Sequence, residues 1–195
     1  MSKASLPLFA ALLLGGCLSF GSDPPPELMT LTAQSGVSEQ TTRSAPTSEA
    51  ITVLTPSVAQ TLRTVRVPVQ IDATSVAYLK DAQWVEQPAI LFGRLLAEVA
   101  AAETGRVVLD ENQFVLDPGL RISGQLHRFG LDAATLEVVA LYDAGFERDG
   151  VIRTRRFEAR VPVAAAEAQL VAPALNEAAN RVALEVARWI AMQGQ

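Results

Sequence analysis

Several residue types and patterns that mark common protein classes are absent from this chain. Its 195 residues contain one cysteine and one histidine, so an internal disulfide is excluded and a zinc site is not indicated. No glycine-rich loop ends in Lys-Ser or Lys-Thr, which excludes a P-loop ATPase. No apolar run reaches the ~20 residues of a membrane span. We therefore predict no metal site and no cofactor.

Basic runs are also missing. The formal net charge is −5, from 16 basic and 21 acidic residues. Nucleic-acid affinity depends largely on Lys and Arg side chains that contact phosphates. An acidic chain without basic runs is a poor candidate for such binding, and we predict no nucleic-acid partner.

The single cysteine stands at the end of an N-terminal leader. Lys3 supplies a positive charge, residues 6–14 form a short apolar run, and Leu14-Gly15-Gly16-Cys17 follows. This order is typical of a secretory signal peptide with a lipobox, in which small residues precede a cysteine that becomes lipidated. We predict a signal peptide over residues 1–16 and lipid attachment, with palmitate, at Cys17. The alternative is an ordinary signal peptide that ends near a cysteine.

The rest of the chain divides into two segments. Residues 17–49 begin with the lipidated N-terminus and contain a Pro24-Pro25-Pro26 spacer, a short strand over 28–33, and a loop rich in Ser, Thr, Gln and Glu. A proline run favours an extended polyproline II tether, and the loop composition predicts mobility. Residues 50–195 carry the periodic patterns of one folded domain.

These patterns predict an α+β domain, a two-layer sandwich of a mostly antiparallel or mixed sheet with two amphipathic helices on one face. Apolar residues alternate with polar ones in the strands, and Pro68 predicts an edge position for its strand. One helix is predicted between Pro88 and Gly105 and another from near Leu170 to the end. The buried face of the first helix is predicted to contain Phe92, Leu95, Leu96 and Val99.

Candidate catalytic residues are few. His127 lies on the polar side of its strand, and no serine or cysteine nucleophile has a motif context, which favours a solvated residue over a catalytic base. Asp110 with Glu111 and Glu147 with Asp149 are carboxylate pairs suited in principle to acid–base chemistry. Both pairs lie beside predicted turns, where solvated charge is expected.

Two other features suggest interaction. The densest basic patch could contact anionic lipid or an acidic partner, although a charged outer strand face is expected in any case; it contains Arg153, Arg155 and Arg156. Trp84 and Trp189 either pack in the core or contribute to an interface.

Three stretches resemble a known family. They are Leu62-Arg63-Thr64-Val65-Arg66-Val67, Tyr78-Leu79-Lys80-Asp81-Ala82-Gln83-Trp84 with Pro88 after it, and Arg155-Arg156-Phe157-Glu158-Ala159. With the lipobox and the closing helix, they are similar to the auxiliary lipoproteins of ABC-type transport systems, the PqiC-like group. Met29 departs from the family pattern, which more often has tyrosine there.

The resemblance implies a non-enzymatic lipoprotein that serves a transporter moving lipid across the Gram-negative envelope. Its expected partners are a periplasmic MCE-domain protein and an ABC permease and ATPase complex, while a homo-oligomer stays open. Leu18 follows Cys17 where an aspartate would retain the protein in the inner membrane. We therefore expect the periplasmic face of the outer membrane.

An interface of exposed apolar or aromatic groups with a charged rim is predicted at Tyr78, Lys80 and Trp84. Two other function classes remain open. One is a structural or regulatory envelope lipoprotein, such as a secretion-channel subunit or a cell-wall synthase activator. The other is a hydrolase, for which a pocket with His127 near a hydroxyl and a carboxylate would be the sign.

Overall fold

The computed structural model describes residues 27–34, 42–111, 119–148 and 150–193. The predicted signal peptide, Cys17, the triple-proline spacer, part of the predicted loop and Asp149 lie outside the described residues. Within the described ranges, eight strands form one mixed sheet and two α-helices pack against it. The predicted α+β class is confirmed.

The strands and helices follow in chain order. The strands are β1 (Ile51–Val53), β2 (Ser57–Val58), β3 (Arg66–Gln70), β4 (Val76–Gln83), β5 (Val108–Asp110), β6 (Leu120–Asp132), β7 (Glu137–Arg148) and β8 (Val151–Pro162). The helices are α1 (Pro88–Thr104), between β4 and β5, and α2 (Ala168–Gln193), after β8. Two short 3₁₀ turns occur at Thr47–Glu49 and Gln60–Leu62.

Strand β6 is the centre of the sheet. On one side it pairs with β7 in antiparallel fashion, and β7 pairs with β8. On its other side it meets β1, β2 and β3 one after another, all parallel to it. β1 pairs onward with β5 and β3 with β4. The outermost strands are therefore β8 on one side and β4 and β5 on the other.

A β-bulge in β6 changes which side chains face the core. Leu126 pairs with Tyr142 and Arg128 pairs with the next residue, Leu141, so His127 is an additional residue in the ladder. Because side chains alternate along a strand, one extra residue shifts the buried set by one position. Leu126 is buried before the bulge and Phe129 after it.

The core lies between the sheet and the two helices. The predicted buried face of α1 is confirmed, while Arg94 on its opposite side is exposed. Pro88 opens α1, and Gly105 ends it in the left-handed conformation with φ of 68°, as glycine does at helix ends. Aromatic rings from both layers meet in this core: Trp84, Phe92, Phe129 and Tyr142 in one group, and Phe146, Phe157 and Trp189 in another.

Three local expectations differ from the structure. β3 is an inner strand between β4 and β6, and Pro68 is accommodated where the β3–β4 register shifts. α2 begins at Ala168 rather than near Leu170, with Pro173 inside it, which removes one i→i−4 hydrogen bond. The strand expected over 28–33 is an extended segment with a single bridge from Met29 to Trp84. Neither helix of the described ranges is long and apolar enough to cross a bilayer.

Candidate functional site

A large bulge interrupts β4. Arg66 pairs with Gln83 and Pro68 pairs with Tyr78, so β4 uses more residues than β3 over the same stretch. Four residues of β4, 79–82, lie opposite the single β3 residue Val67, and we call these four residues the β4 bulge. Its first and last residues are buried and its two middle residues are exposed. Leu79 and Ala82 point into the core, whereas Lys80 and Asp81 project into solvent.

The backbone of the β4 bulge has an unusual conformation at Asp81, whose φ is 54°. This left-handed region is uncommon for residues other than glycine, although Asp and Asn adopt it more readily than most. Such outliers concentrate at functional sites. Lys80 Nζ lies 3.9 Å from Asp81 Oδ2, and both side chains are largely exposed. The β4 bulge therefore presents an exposed ion pair on a constrained backbone.

Tyr78, directly before the β4 bulge, is half-buried. The guanidinium carbon of Arg66 lies 4.2 Å from the centre of its ring. This distance is typical of a cation–π interaction. The side chains of Tyr78 and Arg66 thus form an aromatic and charged surface beside the exposed Lys80.

Trp84, two residues after the β4 bulge, is in the core. It is 1% exposed, and its ring stacks on Phe129 with centroids 5.4 Å apart. Of the three residues predicted for the interface, Lys80 is therefore exposed, Tyr78 is partly exposed and Trp84 is covered. The indole supports the β4 bulge from the core side and does not present its ring to the surface.

An N-terminal segment joins this region. We call residues 28–34 the strap. The Met29 N–H donates to the Gln83 carbonyl at 2.7 Å, and the Val85 N–H donates to the Met29 carbonyl at 2.9 Å. Met29, Leu31 and Ala33 alternate toward the core. The strap thus pairs with the chain directly after the β4 bulge.

Two asparagines of α2 hold the strap further along. Asn180, 5% exposed, donates through Nδ2 to the Thr32 carbonyl at 2.9 Å and accepts the Gln34 N–H at 2.8 Å. Asn176 Oδ1 accepts the Thr32 N–H at 2.9 Å. Sequence analysis missed both residues. The available signal was their spacing of four within an apolar helix, which places two amides on one face.

His127 belongs to a different cluster, on the sheet face away from the helices. Its Nε2 lies 2.9 Å from Asp143 Oδ2, and Arg156 donates two hydrogen bonds of 2.7 Å to the same carboxylate. These bonds from Arg156 lower the pKa of Asp143 to about 2. In the part of the chain that the structure describes, no hydroxyl joins His127 and Asp143. The arrangement lacks the nucleophile that the hydrolase alternative needs.

Glu111 and Glu147, one member of each carboxylate pair, have structural contacts. Glu111 Oε2 accepts the Thr55 N–H at 3.1 Å, and Glu147 Oε1 accepts the Gly150 N–H at 2.5 Å. Each bond fastens a side chain to the backbone of a turn or loop. Among the described residues, no group of three or more His, Cys, Asp or Glu side chains is placed to hold a metal ion.

The basic patch lies in the first half of β8. Arg156 is engaged by Asp143, Arg155 places its guanidinium carbon 5.1 Å from the centre of the Phe157 ring, and Arg153 is exposed. It is separate from the β4 bulge, because β8 and β4 are outer strands on opposite sides of β6.

Comparison with known proteins gives a family and a fold. The family model described as ABC-type transport auxiliary lipoprotein component matches residues 30–187, from the strap into α2. The fold resembles a crystal structure from Xanthomonas campestris assigned to the DUF330 family model, with a TM-score of 0.64, 16% identity, and coverage of 88% of this chain and 95% of that one. It also resembles an uncharacterized protein, with a TM-score of 0.63, 10% identity, and coverage of 87% and 100%. No curated protein matches the chain.

Proposed function

The chain belongs to the family of ABC-type transport auxiliary lipoprotein components, and from this membership we propose a specific role. It acts as a non-enzymatic periplasmic component of an ABC/MCE-type lipid transport system. Cys17 carries the lipid that anchors it to the periplasmic face of the outer membrane. The β4 bulge, with Tyr78 and Lys80, contacts the MCE-domain protein that works with the permease and ATPase.

The observation that carries this proposal is the position of the strap beside the β4 bulge. Met29 pairs with the residues on both sides of Trp84, so the chain that leads back to Cys17 leaves the domain next to this surface. An extended chain spans at most about 3.5 Å per residue. The 12 residues from Cys17 to Met29 thus keep Met29, which lies next to this surface, within roughly 40 Å of the lipid.

The anchor is tested with Cys17→Ser. Because position 17 precedes the strap, the variant should fold normally but lose palmitate labelling and membrane association. The measurement is metabolic labelling together with membrane fractionation, and the melting temperature is the control for folding. Palmitate incorporation into the variant would remove Cys17 from the proposal.

The interface is tested with Lys80→Glu. The side chain is largely exposed, and its ion pair with Asp81 is 3.9 Å long, so the melting temperature should stay nearly unchanged. Titration against a purified MCE-domain protein should show at least tenfold weaker binding. Arg188→Glu on α2 is the matched control, with the same charge change at an exposed side chain that also has an ion pair, to Glu103. Equal binding by Lys80→Glu and the unaltered protein would overturn the proposed interface.

Lysine chemistry gives a second test of the same surface. The chain has two lysines, Lys3 and Lys80, and Lys3 lies in the predicted leader. An amine-reactive crosslinker applied to the processed, acylated protein therefore reports on Lys80. We expect the unaltered protein to crosslink to the MCE-domain protein. Lys80→Arg keeps the positive charge but has no reactive amine, so its crosslinks should disappear. If no transporter component binds or crosslinks to the unaltered protein, the transport role fails.

A further inference from the structure

Strand β8 has a long free edge. It pairs with β7 along its whole length, from Val151 opposite Arg148 to Pro162 opposite Glu137. Within the described ranges, no strand pairs with its other side. β8 has 12 residues, about twice the mean strand length of 5–6. An exposed edge of this length presents a row of unpaired backbone N–H and C=O groups that can template another strand.

The first half of β8 is the accessible part. Residues 151–156 are all exposed, and Ile152 is 75% exposed. From Phe157 onward, alternate side chains are buried against the helices. We call residues 151–156 the basic edge, because half of them are arginines. A partner strand could reach this half without displacing the core.

The charges of the basic edge are unevenly neutralised. Arg156 forms two hydrogen bonds with Asp143. Arg155 lies against the Phe157 ring. The side chain of Arg153 makes no hydrogen bond or ion pair with any residue in the described ranges. Because residues two apart share a face of a strand, Arg153 and Arg155 lie on one face, and Ile152 and Thr154 on the other.

A second copy of this chain fits the basic edge poorly. Antiparallel pairing of two basic edges centred on Thr154 would place Arg153 of each copy opposite Arg155 of the other. Like charges directly opposite each other across strands are destabilising. A strand that carries carboxylates at those two positions would gain attraction instead, since opposite charges across strands are favourable.

The sheet surface beside the basic edge has room for side chains of an added strand. A groove of about 600 Å³ crosses β6, β7 and β8 there. Its floor is a row of small residues in register, Ser123, Gly145 and Thr154. Side chains on an added strand can reach diagonal neighbours. Those on the same face as Thr154 could therefore extend over it into the groove.

We propose that the basic edge binds an extended acidic segment of a partner protein as an additional strand of the sheet. Backbone hydrogen bonds to β8 provide the pairing, and carboxylates opposite Arg153 and Arg155 provide the specificity, as in other cases of strand addition. This site is distinct from the β4 bulge and does not depend on the transport function proposed above.

The probe is a fluorescein-labelled hexapeptide, Glu-Val-Glu-Thr-Glu-Val, titrated by fluorescence anisotropy into the full protein purified from membranes in detergent. We expect saturable binding that weakens as salt is raised. A peptide with Lys in place of Glu should not bind. Two further peptides carry methyl groups on alternate backbone nitrogens, one on the odd-numbered and one on the even-numbered residues. Both keep the charge, but each has lost the N–H groups along one of its two edges and cannot pair there. At least one of them should bind at least tenfold more weakly than the unmethylated peptide.

Protein variants complete the test. Arg153→Glu with Arg155→Glu should weaken binding at least tenfold, whereas Arg153→Lys with Arg155→Lys should retain most of it. Lys80→Glu, remote from the basic edge, should bind as the unaltered protein does. Thermal unfolding checks that each variant is folded.

Two results would overturn the proposal. Equal binding of both methylated peptides and the unmethylated one would mean that the arginines attract acidic peptides without strand addition. Absence of any peptide binding would mean that the arginines only protect the edge from association. Neither result bears on whether Lys80 contacts an MCE-domain protein, so the two proposals fail separately.

Discussion

The outer strands β4 and β8 differ in how their free edges are protected from pairing with another strand. β4 is interrupted by its bulge and continued by a segment that pairs with the strap. β8 is long, and in the part of the chain that the structure describes its edge has no cover. Natural proteins protect edges by covering them, by bulges, or by charges. This molecule has a bulge within β4 and a covering segment at the end of β4, whereas β8 carries charges.

The difference has energetic consequences. The cover at β4 is held by Asn180, a buried amide with partners for both its donor and its acceptor groups. A net hydrogen bond contributes about 0.5–1.5 kcal/mol, and leaving a buried partner unpaired costs about 1–3 kcal/mol. Exposed charges such as Arg153 contribute about 0–1 kcal/mol. The β4 side should therefore control stability, whereas the β8 side should control association.

Trp84→Ala should have the largest effect, because it removes the ring that supports the β4 side. A buried Trp→Ala change costs about 3–5 kcal/mol, and Trp84 is 1% exposed. The measurement is the free energy of unfolding from chemical denaturation. Ile152→Ala, which shortens an exposed side chain on β8, is the comparison and should stay within about 0.5 kcal/mol. A similar loss of unfolding free energy in both variants would contradict the expectation that the β4 side controls stability.

Asn180→Ala should have the next largest effect. It leaves the Thr32 carbonyl and the Gln34 N–H without their side-chain partners, at a cost of about 1–3 kcal/mol. Hydrogen exchange of the strap amides should accelerate while β6 stays protected. Asn176→Ala, which removes one bond to the strap, should cost less. Unchanged exchange at Gln34 in the Asn180 variant would show that the amide does not hold the strap.

A smaller effect should appear at low pH through Asp143, which joins β7 to β8. Hydrogen bonds from Arg156 lower its folded-state pKa to about 2, below the unfolded value of ~3.9. The resulting stability is present above pH ~4 and is lost as the pH falls toward 2. Solvent screening should keep it below about 1 kcal/mol. In Asp143→Asn the free energy of unfolding should depend less steeply on pH over this range. An equally steep dependence in the variant would mean that other carboxylates cause the loss of stability.

The smallest change in stability is expected for Arg153→Thr with Arg155→Thr. Surface substitutions of this kind stay within about 0.5 kcal/mol. Removing two like charges from an open edge should nevertheless favour pairing between copies. Sedimentation velocity should show more self-association than in the unaltered protein, with an unchanged melting temperature. A monomer–oligomer distribution identical to the unaltered protein would show that these charges do not protect the edge.

Features that depend on local periodicity could be predicted from the sequence. The face of α1 that contains Phe92 and Leu95, the start at Pro88 and the end at Gly105 all follow from residues close in the chain. The class of the fold followed from the order of these local patterns. Helix periodicity and end signals act over a few residues, so the sequence displays them directly.

Features that depend on distant partners could not be predicted in the same way. Pro68 suggested an edge strand, but β3 is enclosed because β6, far along the chain, pairs with its other side. Thr32 and Asn180 are separated by 148 residues, and no local pattern links them. The bulge at His127 is a one-residue irregularity within an otherwise regular alternation. For Trp84 the sequence left core packing and an interface both open, and the structure buries the ring against Phe129.

The strap also determines how the domain responds to a pulling force at residue 27. The force would reach the Met29 contacts first and the bonds of Thr32 and Gln34 to α2 afterwards. Contacts loaded one after another peel at a lower force than strands sheared together. Detaching residues 28–34 would lengthen the connection by roughly 25 Å before tension passed Gln34. The strap should thus detach and lengthen the N-terminal connection under force while the sheet stays intact.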